Sequence, residues 1–117
     1  MIARIWKGAV RTSDGDAYAD YINRTGVAGY TATPGNRGVW MLRRDVDDKT
    51  EFVMFTLWES LDAVKAFAGA DYEAAYVVPN AHAVLSRYEK RAAHFELRAR
   101  HLAPDFAPDP IVTRGES

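Results

Sequence analysis

Between Glu51 and Glu59 the chain reads EFVMFTLWE, with apolar residues at odd and even positions alike. Side chains alternate between the two faces of a strand. A strand here places Phe52, Met54, Thr56 and Trp58 on one face and Val53, Phe55, Leu57 and Glu59 on the other. Residues 39–44, VWMLRR, repeat the pattern, with Val39 and Met41 against Trp40 and Leu42. Residues 2–10, IARIWKGAV, set Ile2 and Trp6 against Ala3 and Ile5, with Arg4 on the Trp6 side. These three segments are read as strands, the last two in sequence joined by a polar hairpin at Asp45–Lys49.

Helical signals separate the strands. Ser13 followed by Asp16 is a variant capping box, and Ala17, Tyr18, Tyr21, Ile22 and Thr25 recur at helical spacing. Gly26 is the expected terminator of this first helix. Residues 28–38, with Pro34-Gly35-Asn36, are expected to form a loop. Ser60 is a good N-cap for a second helix with Leu61, Val64, Phe67 and Ala68 on its buried stripe and Gly69 at its end. Asp71 caps a short helix over Tyr72–Tyr76, Pro79 breaks the chain, and Asn80–Leu85 adds a turn. Residues 91–98, RAAHFELR, are read as the last strand, with Ala93, Phe95 and Leu97 on one face and His94 on the other.

The order strand, helix, strand, strand, helix, strand predicts an α+β, ferredoxin-like βαββαβ domain over residues 1–98, a four-stranded antiparallel sheet with both helices on one face. Residues 99–117 form a tail, with Pro104, Pro108 and Pro110, read as either a disordered terminus or an extended arm using Phe106, Ile111 and Val112. Helices on one face leave the other face of an apolar sheet bare. Such a patch exceeds what soluble monomers usually expose, which predicts a homodimer through the sheet face; the alternative is that the tail or loops fold under the sheet.

Composition narrows the chemistry. The 117 residues include no cysteine, which removes disulfides, thiolate metal sites and a cysteine nucleophile. The formal net charge is −1 with 15 basic and 16 acidic residues, and no basic stripe points to a nucleic-acid partner. The N-terminal segment is too short and too charged for a signal peptide, and no window approaches the ~20 apolar residues of a membrane span, so no membrane partner and a cytoplasmic location are expected. The histidines, His82, His94 and His101, are widely separated, and no metal or dinucleotide motif is present; no metal and no cofactor are expected.

The opening MIARIW, the loop TPGNRGVW, the junction FTLWESLDAVKAFAG and the closing HFEL resemble the antibiotic biosynthesis monooxygenase (ABM) superfamily over roughly residues 1–98. The resemblance implies a ferredoxin-like protomer, a dimeric α/β barrel and a pocket between sheet and helices. It implies a cofactor-independent monooxygenase-like protein acting on an aromatic or quinol-type small molecule. The alternative is a non-catalytic, stress-related dimer that binds a hydrophobic small molecule. The haem-degrading branch carries a Trp on its second helix, a His ten residues later and an Asn on its first strand. Phe67, Val77 and the pair Trp6-Lys7 stand at or near those places, so haem degradation is not expected.

An oxygenase of this kind binds its substrate, helps remove a proton and stabilises the anion. His82 is the candidate base, because an imidazole titrates near neutrality. Tyr72, whose hydroxyl can orient a phenol or quinone, is the second catalytic candidate. Trp58, Tyr76, Arg4, Trp6 and Trp40 are the candidate substrate-binding residues, since ligand pockets are apolar with a few polar groups. His94 is expected at a dimer interface or strand edge. Arg4, if buried, needs an anionic partner, either a substrate oxyanion or a carboxylate such as Glu59 or Glu96.

Overall fold

The computed structural model describes residues 1–75 and 84–104. Strand β1 (Ile2–Arg11) leads through a 3₁₀ turn (Thr12–Asp14) into α1 (Gly15–Arg24) and α2 (Gly26–Ala32); β2 (Asn36–Val46), β3 (Lys49–Trp58), α3 (Leu61–Ala68), β4 (Leu85–Tyr88) and β5 (Ala93–Glu96) follow. All strand pairings are antiparallel, in the order β2-β3-β1, with β4 and β5 both on the far side of β1. This is the ferredoxin-like arrangement that the sequence predicts, with its last strand in two pieces.

The register explains the split. Tyr88 lies opposite Gly8, whereas Ala93 lies opposite Ile5, so the edge strand carries extra residues between β4 and β5. Glu89 N–H still donates to the Lys7 carbonyl of β1 at 2.9 Å, but the residues after it bond to the segment after α3: Ala75 N–H donates to the Lys90 carbonyl at 2.9 Å and Ala92 N–H to the Glu73 carbonyl at 2.7 Å. The bulge thereby ties residues 73–75 to the sheet edge.

The two-faced reading of β1, β2 and β3 holds residue by residue. Trp6, Val10, Phe52, Met54 and Trp58 form one core with Tyr18, Ile22, Tyr30 and Val64 from the three helices. The opposite face carries Ile5, Val53, Phe55, Trp40, Leu42 and Phe95. Trp40, Leu42 and Phe95 are 45%, 53% and 54% exposed, so no helix among the described residues covers that part of the face, although Ala3 and Leu57 on it are buried.

Several local expectations are corrected. Ser13 lies inside the 3₁₀ turn, and α1 starts at Gly15 without a side-chain cap. Gly26 does not end the helical region; it opens α2, which occupies part of the expected 28–38 loop. Burial of Tyr30, stacked on Phe67 with ring centroids 4.6 Å apart, outweighs the poor helix propensity of Gly26 and Gly29. Residues 72–75 form a turn and a bridge, not a helix. Leu85 belongs to β4. At α3 the sequence reading stands: Ser60 accepts from the Ala63 N–H at 3.2 Å, and Gly69 ends the helix at φ 92°. No helix among the described residues is long and apolar enough to cross a membrane.

The turn before β2 also locks the junction between β3 and α3. The Gly35 carbonyl accepts from Glu59 N–H at 2.8 Å, and its φ of 93° lies in the left-handed region. A Cβ there would sit 2.6 Å from that of Ala63. Gly35→Ala is therefore expected to destabilise the domain by about 1–3 kcal/mol, read as a lowered urea midpoint with an unchanged slope. An unshifted midpoint would show that this turn is not fixed by its contact with α3.

Candidate functional site

Arg4 sits at the centre of β1 on the helix-facing side, because the strand alternation places it with Ile2 and Trp6. It is 2% exposed. Its Nη2 donates to the Ala74 carbonyl at 3.2 Å and, at a long 3.4 Å, to the Tyr72 carbonyl. These are the carbonyls that the edge bulge brings over the sheet. The guanidinium carbon lies 5.7 Å from the centre of the Phe67 ring. Tyr30 supplies a further side-chain hydrogen bond. The Nε–H has no partner among the described residues.

Among the described residues no carboxylate reaches this cation, which corrects the expectation of Glu59 or Glu96. Glu59 pairs with Arg37 at the mouth of the β2–β3 pair, and Glu96 lies against Arg98 at 3.1 Å on the outer edge. Burial pushes the Arg4 pKa below its ordinary value, and Tyr30 offsets part of that shift. A guanidinium remains charged through any physiological pH even so.

His94 lies directly opposite Arg4 in the β1–β5 register and so points to the same side. His94 thus lies on the edge strand β5, one of its two expected places, with its side chain directed away from the uncovered face to which its neighbour Phe95 points. The imidazole stands edge-on to the Tyr72 ring, with centroids 5.1 Å apart. Neither ring nitrogen makes a hydrogen bond of normal geometry with a described residue, although both are shielded from solvent. Desolvation and then the Arg4 charge push its pKa below the ordinary value, while Glu73 and the Ala92 backbone oppose the shift. The neutral ring, a proton acceptor, is thereby favoured near neutral pH.

Aromatic rings wall this pair. Trp58 is fully buried, 5.3 Å from Phe67, and donates its indole N–H to Thr56 Oγ1 at 2.9 Å. Thr56 in turn lies within 3.4 Å of the Arg4 carbonyl. The arrangement offers a fixed cation, a neutral base and flat apolar walls.

The sequence candidates divide clearly. Arg4, Trp58 and Tyr72 come together on the helix-facing side. Trp6 shares that side but turns toward β4, donating to the Glu89 carbonyl at 2.7 Å and facing Tyr88. Trp40 stands on the opposite face beside Phe55. His82 and Tyr76 lie outside the described residues. His94 is the member that sequence reasoning passed over; its position opposite Phe95, combined with the β1 alternation, carried the signal. Among the described residues no group of three His, Asp or Glu side chains is placed to hold a metal.

Known proteins place this geometry in context. The model of the antibiotic biosynthesis monooxygenase family matches residues 1–78. No curated protein matches the chain. Among solved structures, the heme-degrader MhuD from Mycobacterium tuberculosis superposes with a TM-score of 0.60 at 20% identity, covering 86% of this chain and 99% of that one. SnoaB, a cofactor-independent oxygenase from Streptomyces nogalater, superposes with a TM-score of 0.56 at 22% identity, covering 89% of this chain and 98% of that one. At such identities the likeness is one of fold.

The lowered pKa of His94 has a stability consequence. A base whose folded pKa lies below its unfolded value binds fewer protons when folded, so stability is full above the unfolded value and falls as pH drops below about 6.5. Thermal melts between about pH 7.5 and pH 5.5 are expected to show that fall, and His94→Gln is expected to reduce it. An identical pH dependence in the variant would place His94 in an environment no different from water.

Proposed function

Because the chain belongs to the antibiotic biosynthesis monooxygenase family, we propose that it is a cofactor-independent monooxygenase-like protein acting on an aromatic or quinol-type small molecule held between sheet and helices. The observation that carries this reading is His94: an imidazole with both nitrogens unpartnered among the described residues, facing a buried cation and an aromatic wall. A ligand phenol or enol gives its proton to such a base, and the electron-rich anion reduces dioxygen directly. Oxygenation of a ring CH₂ to a carbonyl then consumes one O₂ and releases one water, with no electron carrier in the balance.

The protomer is proposed to act as a homodimer joined through the uncovered sheet face. Its support is the apolar stripe of Trp40, Leu42 and Phe95, exposed beside half-buried Ile5, Val53 and Phe55, which no helix among the described residues covers. Haem degradation finds no support in the residues, since Phe67 occupies the helix position where the haem-degrading pattern carries tryptophan.

Oxygen uptake with anthrone and hydroquinone substrates tests the activity. The unaltered protein is expected to accelerate uptake over the uncatalysed rate, and His94→Gln to reduce that acceleration by about 10²–10⁴-fold, the usual contribution of a positioned base. No acceleration across the panel would contradict the oxygenase reading. Full activity in the variant would remove His94 from it.

A further inference from the structure

We propose that residues 70–75 form a strap that closes over Arg4 and His94, hinged at Gly69 and latched by Arg91, and that a ligand reaches His94 only when this strap swings open. The inference rests on the reading of this region as the reaction site and adds how that site is entered.

The buried pair needs an entrance. Arg4 is 2% exposed, and both His94 ring nitrogens are shielded from solvent. Three cavities formed by described residues, at the sheet end beside Glu96, on the outer face beside Val53 and against α1 at Tyr18, are lined by neither residue. What lies on the pair is the segment after α3. The Tyr72 and Ala74 carbonyls accept from Arg4, and the Tyr72 ring stands edge-on to His94. Moving this one segment uncovers both side chains and leaves β1 and β5 in place.

The strap is held lightly, by contacts that can be released. No residue from Gly69 to Ala75 is fully buried, so little apolar surface fixes it. Gly69 has a φ of 92°, and a Cβ there would meet nothing within 4 Å among the described residues, which leaves its backbone room to turn. At its far end the strap meets the bulge between β4 and β5. Ala75 N–H donates to the Lys90 carbonyl, Ala92 N–H donates to the Glu73 carbonyl, and Ala74 faces Arg91 in an isolated bridge between these two bonds. From that bridge the Arg91 side chain reaches two acids of the strap, Glu73 at 2.7 Å and Asp71 at 3.7 Å. The side chains of Arg91, Glu73 and Asp71 are 60%, 51% and 73% exposed, so water and salt compete with both pairs. Arg4 supplies the opposing force. Among the described residues no carboxylate compensates its charge, and swinging the strap away returns the guanidinium to water.

Labelling of His94 by diethyl pyrocarbonate, which needs an accessible neutral ring nitrogen, reads the opening. Peptide mass spectrometry separates it from exposed His101, the internal control. Arg91→Met, which keeps an apolar stem and drops the charge, is expected to speed His94 labelling about two- to fivefold, the weight of surface ion pairs, with His101 unchanged. Sodium chloride at about 0.5 M is expected to speed it in the unaltered protein and to add nothing in the variant. The converse variant locks the strap. Residues facing each other across a non-hydrogen-bonded bridge stand about 4.5 Å apart between Cα atoms, within reach of a disulfide. Ala74→Cys combined with Arg91→Cys, in a chain otherwise free of cysteine, is expected on oxidation to slow His94 labelling at least about tenfold, and reduction to restore it. Each variant's fold is checked by circular dichroism. The proposal is overturned if the oxidised and reduced forms label alike, if Arg91→Met labels at the unaltered rate, or if the two cysteines fail to couple. Oxygen uptake with anthrone on the same samples separates the two claims. Uptake that stops on oxidation and returns on reduction supports both. Labelling controlled by the disulfide without uptake in any sample keeps the strap and removes the oxygenase, and full uptake by the locked protein removes the reaction from this pair.

Discussion

A strand that is apolar on both faces cannot lie at the surface of a two-layer domain without a second cover. In β3 every residue from Phe52 to Trp58 except Thr56 is apolar, and the strand is held between β1 and β2 over its whole length. One face closes under α1, α2 and α3 around Phe52, Met54 and Trp58. The other is bare. The placement of the remaining elements follows from that division, because it decides which side chains of β1, β2 and β5 face helices and which face outward.

The same division produces the candidate site. Arg4 occurs at a position whose neighbours across the strands, Thr56 and His94, face the helices with it. Burial there strips water from three polar groups at once. Thr56 finds bonds along the strand, while among the described residues Arg4 is only partly satisfied by carbonyls and His94 is left without a partner. The extra residues between β4 and β5 supply those carbonyls indirectly, since they bond the 73–75 segment to the sheet edge. A bulge, a buried cation and an imidazole thus form one construction, in which electrostatics is held in place by backbone hydrogen bonds.

Much of this was legible in the residues. Alternation in β1, β2 and β3, the Ser60 cap and the Gly69 terminus depend on local chemistry, and the structure reproduces each of them. What escaped reading depends on contacts distant in sequence. Helix α2 carries Gly26 and Gly29, which local propensity counts as breakers; its helicity comes from seating Tyr30 on Phe67 and beside Trp58. The four residues of β4 are too short to show a period, and their conformation is set by pairing with Gly8–Val10. The side to which His94 points was set by the alternation, but its meaning depended on knowing that Arg4 faces the same way and lacks a carboxylate. Glu59 and Glu96 looked available in sequence because nothing local shows that Arg37 and Arg98 claim them.

The second face of the sheet is proposed to be closed by another copy of the same chain. Sedimentation equilibrium of the unaltered protein at micromolar concentration tests it most directly. A mass twice the 13.1 kDa of one chain, falling to the single-chain value when Leu42→Asp and Phe95→Asp place charges in the stripe, is the predicted result. A stable single-chain mass for the unaltered protein would contradict it.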